Sequence, residues 1–220
     1  MATGIQSKIN LTASSGASTI LAAGPTSTNA QVLTVSICNT NATSVLIRLA
    51  VTATANGTSP ASTDYLLYDY YLAAYGVIEF GGIVLNNGQT IVARSNTSNV
   101  SAVTYGIDDV ANSSSGIQGK YDLSASTWTQ ITSGPIAGRI RTVNVCFANR
   151  GTASCTLRLA ASATPTSPTG TDYLEYGVTL SAGSYFVRSG IVLNSGNGIG
   201  AWASTSSISC VAYGVDDGST

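Results

Sequence analysis

The sequence predicts an all-β chain built as two tandem β-sandwiches, and three observations carry that reading. Phrases recur at a fixed offset, apolar residues alternate with period two, and no segment sustains a 3.6-residue apolar period. Asp64-Tyr65-Leu66-Leu67-Tyr68 returns as Asp172-Tyr173-Leu174-Glu175-Tyr176. A Gly-Ile-Val-Leu-Asn run starts at Gly82 and again at Gly190, and a Tyr-Gly-apolar-Asp-Asp phrase starts at Tyr105 and again at Tyr213. Each pair is 108 positions apart, and roughly half of the residues from Asp64 to Asp109 are identical to those from Asp172 to Asp217. A constant spacing of domain length means one fold used twice.

Each strand has its own signal. Gln31 to Cys38 places Leu33, Val35 and Ile37 on one face and Thr34, Ser36 and Cys38 on the other. Ser44 to Val51 continues with Val45, Ile47, Leu49 and Val51 inward, and Arg48 outward. Asp64–Leu72, Val77–Val84, Thr90–Arg94 and Val100–Ile107 complete the first unit. The second unit reads Arg141–Phe147, Cys155–Ala160, Asp172–Leu180, Tyr185–Val192, Ile199–Ala203 and Ile208–Val215. Asn39-Thr40-Asn41, Asn86-Asn87-Gly88, Asn149-Arg150-Gly151 and Asn194-Ser195-Gly196 supply residues that tolerate positive φ in turns. The Thr/Ser/Pro stretches at 52–63 and 162–171 read as crossovers, since Pro60, Pro165 and Pro168 cannot sit in central strands.

Six to eight short strands per unit describe an immunoglobulin-like or a jelly-roll sandwich, and pattern alone leaves both open. The expected division is 1–109 for an N-terminal arm and first sandwich, 110–116 for a flexible, exposed linker, and 117–220 for the second sandwich. Met1 to about Lys8 reads as an extended arm.

Composition narrows the function classes. Charged residues make up 9% of the chain, against roughly 25% in an average globular protein. Such a surface is covered by small polar residues, or by neighbours in an assembly. The net charge is −1 with no basic stripe, which argues against nucleic acid as a partner. No apolar run approaches the ~20 residues that span a bilayer, and Met1–Lys8 lacks the apolar core of a signal peptide, so assembly in a cytosol is expected. Cys38, Cys146, Cys155 and Cys210 read as reduced, buried hydrophobes. Cys38 and Cys146 align at the repeat offset, and alternation sets Cys146 opposite Val145 and Phe147.

The chain has no histidine, which removes Ser-His-Asp and Cys-His sites, and no cysteine pair has zinc spacing. No cofactor is expected. Carboxylates are the remaining candidates. Asp64 and Asp172 read as turn-closing residues that accept backbone N–H bonds. Asp108, Asp109, Asp216 and Asp217 read as solvated strand ends and are also the candidates for a calcium site. Arg48 and Arg158 correspond, and each is expected to form a cross-strand carboxylate pair or to lie across a subunit boundary. Alternation groups Tyr65 with Leu67 and sets Tyr68 and Tyr70 on the other face. Aromatic area on both faces exceeds what one core requires, so Tyr68, Tyr70 and Tyr71 are expected at an intersubunit contact.

The phrases Val35-Ser36-Ile37-Cys38-Asn39-Thr40-Asn41 and Leu46-Ile47-Arg48-Leu49-Ala50, with Asp64-Tyr65, the run at Gly82 and the Tyr-Gly ending, carry a family resemblance. The second copy matches through Val143-Asn144-Val145-Cys146, Leu157-Arg158-Leu159-Ala160, Asp172-Tyr173-Leu174-Glu175-Tyr176 and Tyr213-Gly214. Together they resemble small virion structural proteins of tailed phages that infect cyanobacteria and other aquatic bacteria. The resemblance covers most of both repeats and implies a β-sandwich with no catalytic residues to transfer. This chain departs from single-domain examples by its duplication.

The expected function is therefore a virion structural protein, a decoration or cement subunit that binds and bridges capsid subunits. Its expected partners are the major capsid protein and further copies of itself, with a trimer favoured. Alternatives are a tail, baseplate or fibre component, a carbohydrate-binding module, and a carboxylate-pair hydrolase.

Overall fold

The structure is a computed structural model. It describes residues 4–11, 13, 16–26, 29–54, 57–111 and 115–218, apart from the side chains of 108–111, 217 and 218. The first half carries β1 (Gly4–Leu11), β2 (Thr19–Ala23), β3 (Asn29–Asn39), β4 (Val45–Thr52), β5 (Tyr65–Leu72), β6 (Val77–Leu85), β7 (Thr90–Ser95) and β8 (Val100–Ala111). The second carries β9 (Gly116–Leu123), β10 (Thr129–Ser133), β11 (Arg139–Asn149), β12 (Cys155–Ser162), β13 (Tyr173–Leu180), β14 (Tyr185–Leu193), β15 (Gly198–Ala203) and β16 (Ile208–Gly218). Among the described residues the one helical piece is a 3-10 turn at Ser62–Asp64.

The pairing resolves the topology. In the first half β1 pairs with β8, β2 with β7, β3 with β6 and β4 with β5, all antiparallel. Rolling up these four ribbons gives one sheet ordered β1-β8-β3-β6 and another ordered β2-β7-β4-β5. That is a jelly roll, eight strands in two packed sheets. The second half repeats it strand for strand, as β9-β16-β11-β14 and β10-β15-β12-β13. Among the described residues every strand pairing stays within its own half.

Facing sheets bury the alternating apolar sets. Leu33, Val35 and Ile37 meet Ile47, Leu49 and Val51 in the first core, and Val143, Val145 and Phe147 meet Leu157 and Leu159 in the second. The repeated phrases mark backbone constraints within this frame. Gly82 and Gly190 sit at matching bulges in β6 and β14, with φ of 69° and 71°, a region that disfavours a side chain. The Tyr-Gly phrase has a different cause. A Cβ on Gly106 would lie 2.1 Å from the Val32 carbonyl oxygen, and one on Gly214 would lie 2.0 Å from that of Thr142.

Several expectations change. The predicted N-terminal arm is not free from Gly4 onward: those residues form β1 and pair along β8. The predicted linker shrinks, because Val110 and Ala111 belong to β8 while Ser115 and Gly116 are buried. Cys38 and Cys146 are not structural counterparts. Cys38 pairs with Val77 as Ala148 does with Tyr185, and Ser36 pairs with Glu79 as Cys146 does with Val187. The offset is 110 in β3 and β4 and becomes 108 after the crossover that follows β4, which is two residues longer in the first half.

The halves also pack together. The first core continues across the boundary to Cys146, Val211 and Tyr213 of the second half, with Ile117, Tyr185, Val187 and Val215 against it. Cys146 does lie opposite Val145 and Phe147, and its outward side touches the first half. Leu66, fully buried, is the extra residue of a bulge in β5, and its carbonyl accepts the Cys146 thiol at 3.4 Å. Burying a side chain of this size contributes about 2 kcal/mol.

Gly214→Ala tests the backbone constraint. Forcing a methyl against a neighbouring carbonyl is expected to cost on the order of 2–3 kcal/mol, read as a lower urea midpoint at unchanged m-value.

Candidate functional site

The outer face of the β2-β7-β4-β5 sheet carries an arginine packed among tyrosines. Two register shifts in β5 override simple alternation: Leu67 pairs with Leu49, Tyr65 with Ala50, and Tyr70 with Ile47. Tyr65 and Tyr68 therefore share a face, ring centres 4.8 Å apart and edge-on, while Leu67 stays in the core. Asp69, at φ 48°, turns its carboxylate to Arg48, with Nε–Oδ1 at 2.6 Å and Nη2–Oδ2 at 2.8 Å. The guanidinium stacks 3.8 Å over the Tyr68 ring. Burial pulls the Arg48 pKa down, but the Asp69 hydrogen bond and charge outweigh it and hold it above its ordinary value. The second half closes on this face. Ala148 joins Ala50, Tyr65 and Val92 in a small buried cluster, and the Arg150 guanidinium lies 5.9 Å from the Tyr68 ring while paired to Asp122.

The matching face of the second half is open. Arg158 takes the place of Arg48, but Gly177, at φ 78°, stands where Asp69 stands and brings no carboxylate. The guanidinium lies 4.4 Å from both the Tyr176 and Trp202 rings, and its buried Nε has no hydrogen-bond partner. Tyr173 meets Tyr176 edge-on at 4.9 Å and Trp128 at 5.9 Å. Carboxylate pairing, expected of both arginines, holds for Arg48 alone. Of the tyrosines expected at a subunit contact, Tyr68 lies in the seam between the halves and Tyr70 meets Tyr185 there at 5.4 Å. Tyr71 is 66% exposed.

The aspartates divide by role. Asp64 and Asp172 close their turns as expected, accepting the Ala61 and Thr169 backbone N–H groups at 2.9 and 2.7 Å. Asp64 is also buried and paired with Lys120 of β9, a link across the seam. Asp216 is not a solvated strand end. It is 3% exposed and holds Arg141 through both carboxylate oxygens, which leaves it poorly placed as a calcium ligand. The side chains of Asp108, Asp109 and Asp217 lie outside the described residues. Among the described residues no three His, Cys, Asp or Glu side chains gather as a metal site. Surface hollows of about 210, 190 and 350 Å³ hold one acid between them, Glu79, at the seam beside Phe80, Tyr185 and Val187.

All four cysteines are free; Cys38 is half-buried and the other three are buried. Burial raises the Cys146 and Cys210 thiols far above their ordinary pKa, and it does the same to the Tyr213 phenol, whose hydroxyl has no hydrogen-bond partner. Among the described residues no helix is long and apolar enough to cross a membrane. No protein-family model matches this chain, and no curated protein does either.

Two measurements check these assignments. Iodoacetamide at pH 8 is expected to label only Cys38 in the native protein and all four cysteines after unfolding. Asp172 is held below the ordinary carboxylate range chiefly by the Thr169 N–H, against the opposing effect of burial. Its contribution to stability is fully present above the unfolded pKa of about 3.9 and is lost as pH falls through the lower folded value. Asp172→Asn should therefore be less stable than wild type at pH 7, with the deficit shrinking below pH ~4 in urea titrations.

Proposed function

We propose that this chain is a structural protein of a tailed-phage virion, a capsid decoration or cement subunit made in the host cytoplasm that binds and bridges capsid subunits. It acts by docking and not by catalysis, and it works as a homo-oligomer, a trimer, on the major capsid protein. The observation that carries this reading is a chain with only 9% charged residues that leaves large apolar side chains exposed, Ile5, Val77 and Ile107 on one sheet face and Tyr176 and Val192 along the edge formed by β13 and β14. The jelly roll is compatible with it, but that fold also serves lectins and cupins, so the surface has to carry the argument.

The bridging mechanism is rigid. Two sandwiches packed across a shared core present their outer faces at fixed spacing and orientation, so the second contact on a lattice follows the first with little further ordering cost.

A carbohydrate-binding module is the second reading. It is favoured by Trp128, Tyr173, Tyr176 and Trp202 gathered around Arg158 on one face. Reproducible glycan-array hits lost in Tyr176→Ala would establish it. For the leading reading, quantitative mass spectrometry of purified particles is expected to find hundreds of copies per virion. A handful would place the chain in the tail, baseplate or fibre, and none would end the virion reading.

A further inference from the structure

We propose that the contact joining the two halves of one chain is repeated between chains, so that each copy docks its second sandwich on the first sandwich of the next. Within the chain this contact is head-to-tail. The first sandwich offers the edge formed by β5 and β6, and the second offers the outer face of β9-β16-β11-β14. Both halves share one fold, so each of these surfaces has a twin. The chain leaves both twins uncovered.

The face comes first. Ile117, Tyr185 and Val215 pack against the core of the first half. By strand register their counterparts are Ile5, Val77 and Ile107, which are 59%, 60% and 47% exposed. The edge behaves alike. Val84 is 3% exposed inside the seam, and its counterpart Val192 is 62% exposed. Tyr68 lies beneath Arg48, and its counterpart Tyr176 is 63% exposed.

Charge supports the same pairing. Lys120 reaches across the seam to Asp64. Lys8 and Asp172 hold those two positions in the opposite halves, and among the described residues neither has an ion-pair partner. Phe80 meets Tyr185 at 5.5 Å beside Val187. The counterparts are Arg188, which pairs with Glu175 in its own chain, Val77 and Glu79, so an apolar contact inside the chain becomes one that sets an arginine near a further carboxylate between chains. The surfaces thus match each other, and the occupant is a second copy of this chain. A head-to-tail contact closes into a ring or runs on as a filament. With the trimer proposed above, six sandwiches alternate around the ring.

This assignment rests on the self-association proposed above, and light scattering separates the two. Wild type is expected to be oligomeric. Val192→Arg and Ile107→Asp should each weaken association on the order of a hundredfold, because each buries an unpaired charge, while circular dichroism and Tm stay unchanged. Ile136→Arg, on an exposed residue outside both surfaces, should leave the oligomer intact. The Lys8→Glu and Asp172→Lys variants should each associate more weakly than the double variant that restores opposite charges. Monomer at high concentration in wild type overturns both the self-association and the assignment. An oligomer indifferent to Val192→Arg and Ile107→Asp overturns the assignment alone.

Discussion

The seam between the two jelly rolls is the constraint on which the rest of this structure depends. Tyr213 is wholly buried there, although its hydroxyl finds no hydrogen-bond partner. Leaving a hydroxyl unsatisfied costs roughly 1–3 kcal/mol. The surrounding apolar contact, which brings Leu66, Phe80, Val84, Cys146 and Val211 into one cluster, offsets that cost. Polar links sit around it: Lys120 to Asp64, the Ser209 hydroxyl to the Ser62 carbonyl, and the Asn144 amide to the Gly82 carbonyl. A face of one sandwich is thereby packed on the edge of the other.

That asymmetry explains how the copies diverged. Where a position is covered in both halves, the residue or its chemistry persists. Asn39 and Asn149 are both buried, and each amide caps the same turn, donating to Thr43 or Ala153 and to Leu72 or Leu180. The arginine site shows what one-sided cover does to a charge pair. Arg48 keeps Asp69 because the second half closes over that face, and an unpaired guanidinium there would be costly. Arg158 lies half-buried between Trp202 and the exposed Tyr176, and has only Gly177 where the carboxylate would be. Tyr213 is fully buried, whereas its counterpart Tyr105 is half-exposed and donates to Glu79, which raises its pKa after burial.

Much of this fold is written plainly in the sequence. Strands from Gln31 to Ile107 and from Arg141 to Val215 stand out because one face of each is apolar and the other polar. The first two strands of each half are quieter: β1, for instance, alternates weakly and is mostly polar on its exposed face. Another signal was present, since Gly4-Ile5-Gln6-Ser7-Lys8 returns as Gly116-Ile117-Gln118-Gly119-Lys120. It sits at an offset of 112, so a search at 108 passes over it. The tyrosines mislead for a different reason. Period two holds only while pairing is regular, and two bulges in β5 rotate Tyr65 onto the face of Tyr68. The candidate surface depends on those bulges and on which twin is covered, and neither is a local property of the chain.

A duplicated domain with one internal contact has an open question built into it. If the contact were peculiar to these two halves, its unused twins would have no reason to remain apolar. Exposed valine, isoleucine and tyrosine on a protein surface invite non-specific association, and substitution to small polar residues carries little stability cost at exposed sites. Yet Val77, Ile107 and Val192 stay apolar in a chain rich in serine, threonine and asparagine. The charged positions argue the same way. Lysine stands at both Lys8 and Lys120 and aspartate at both Asp64 and Asp172, although only one lysine and one aspartate meet inside the chain. Two copies of a surface, each keeping the residues that its partner needs, are what repeated assembly requires of a sequence and what a solitary monomer does not.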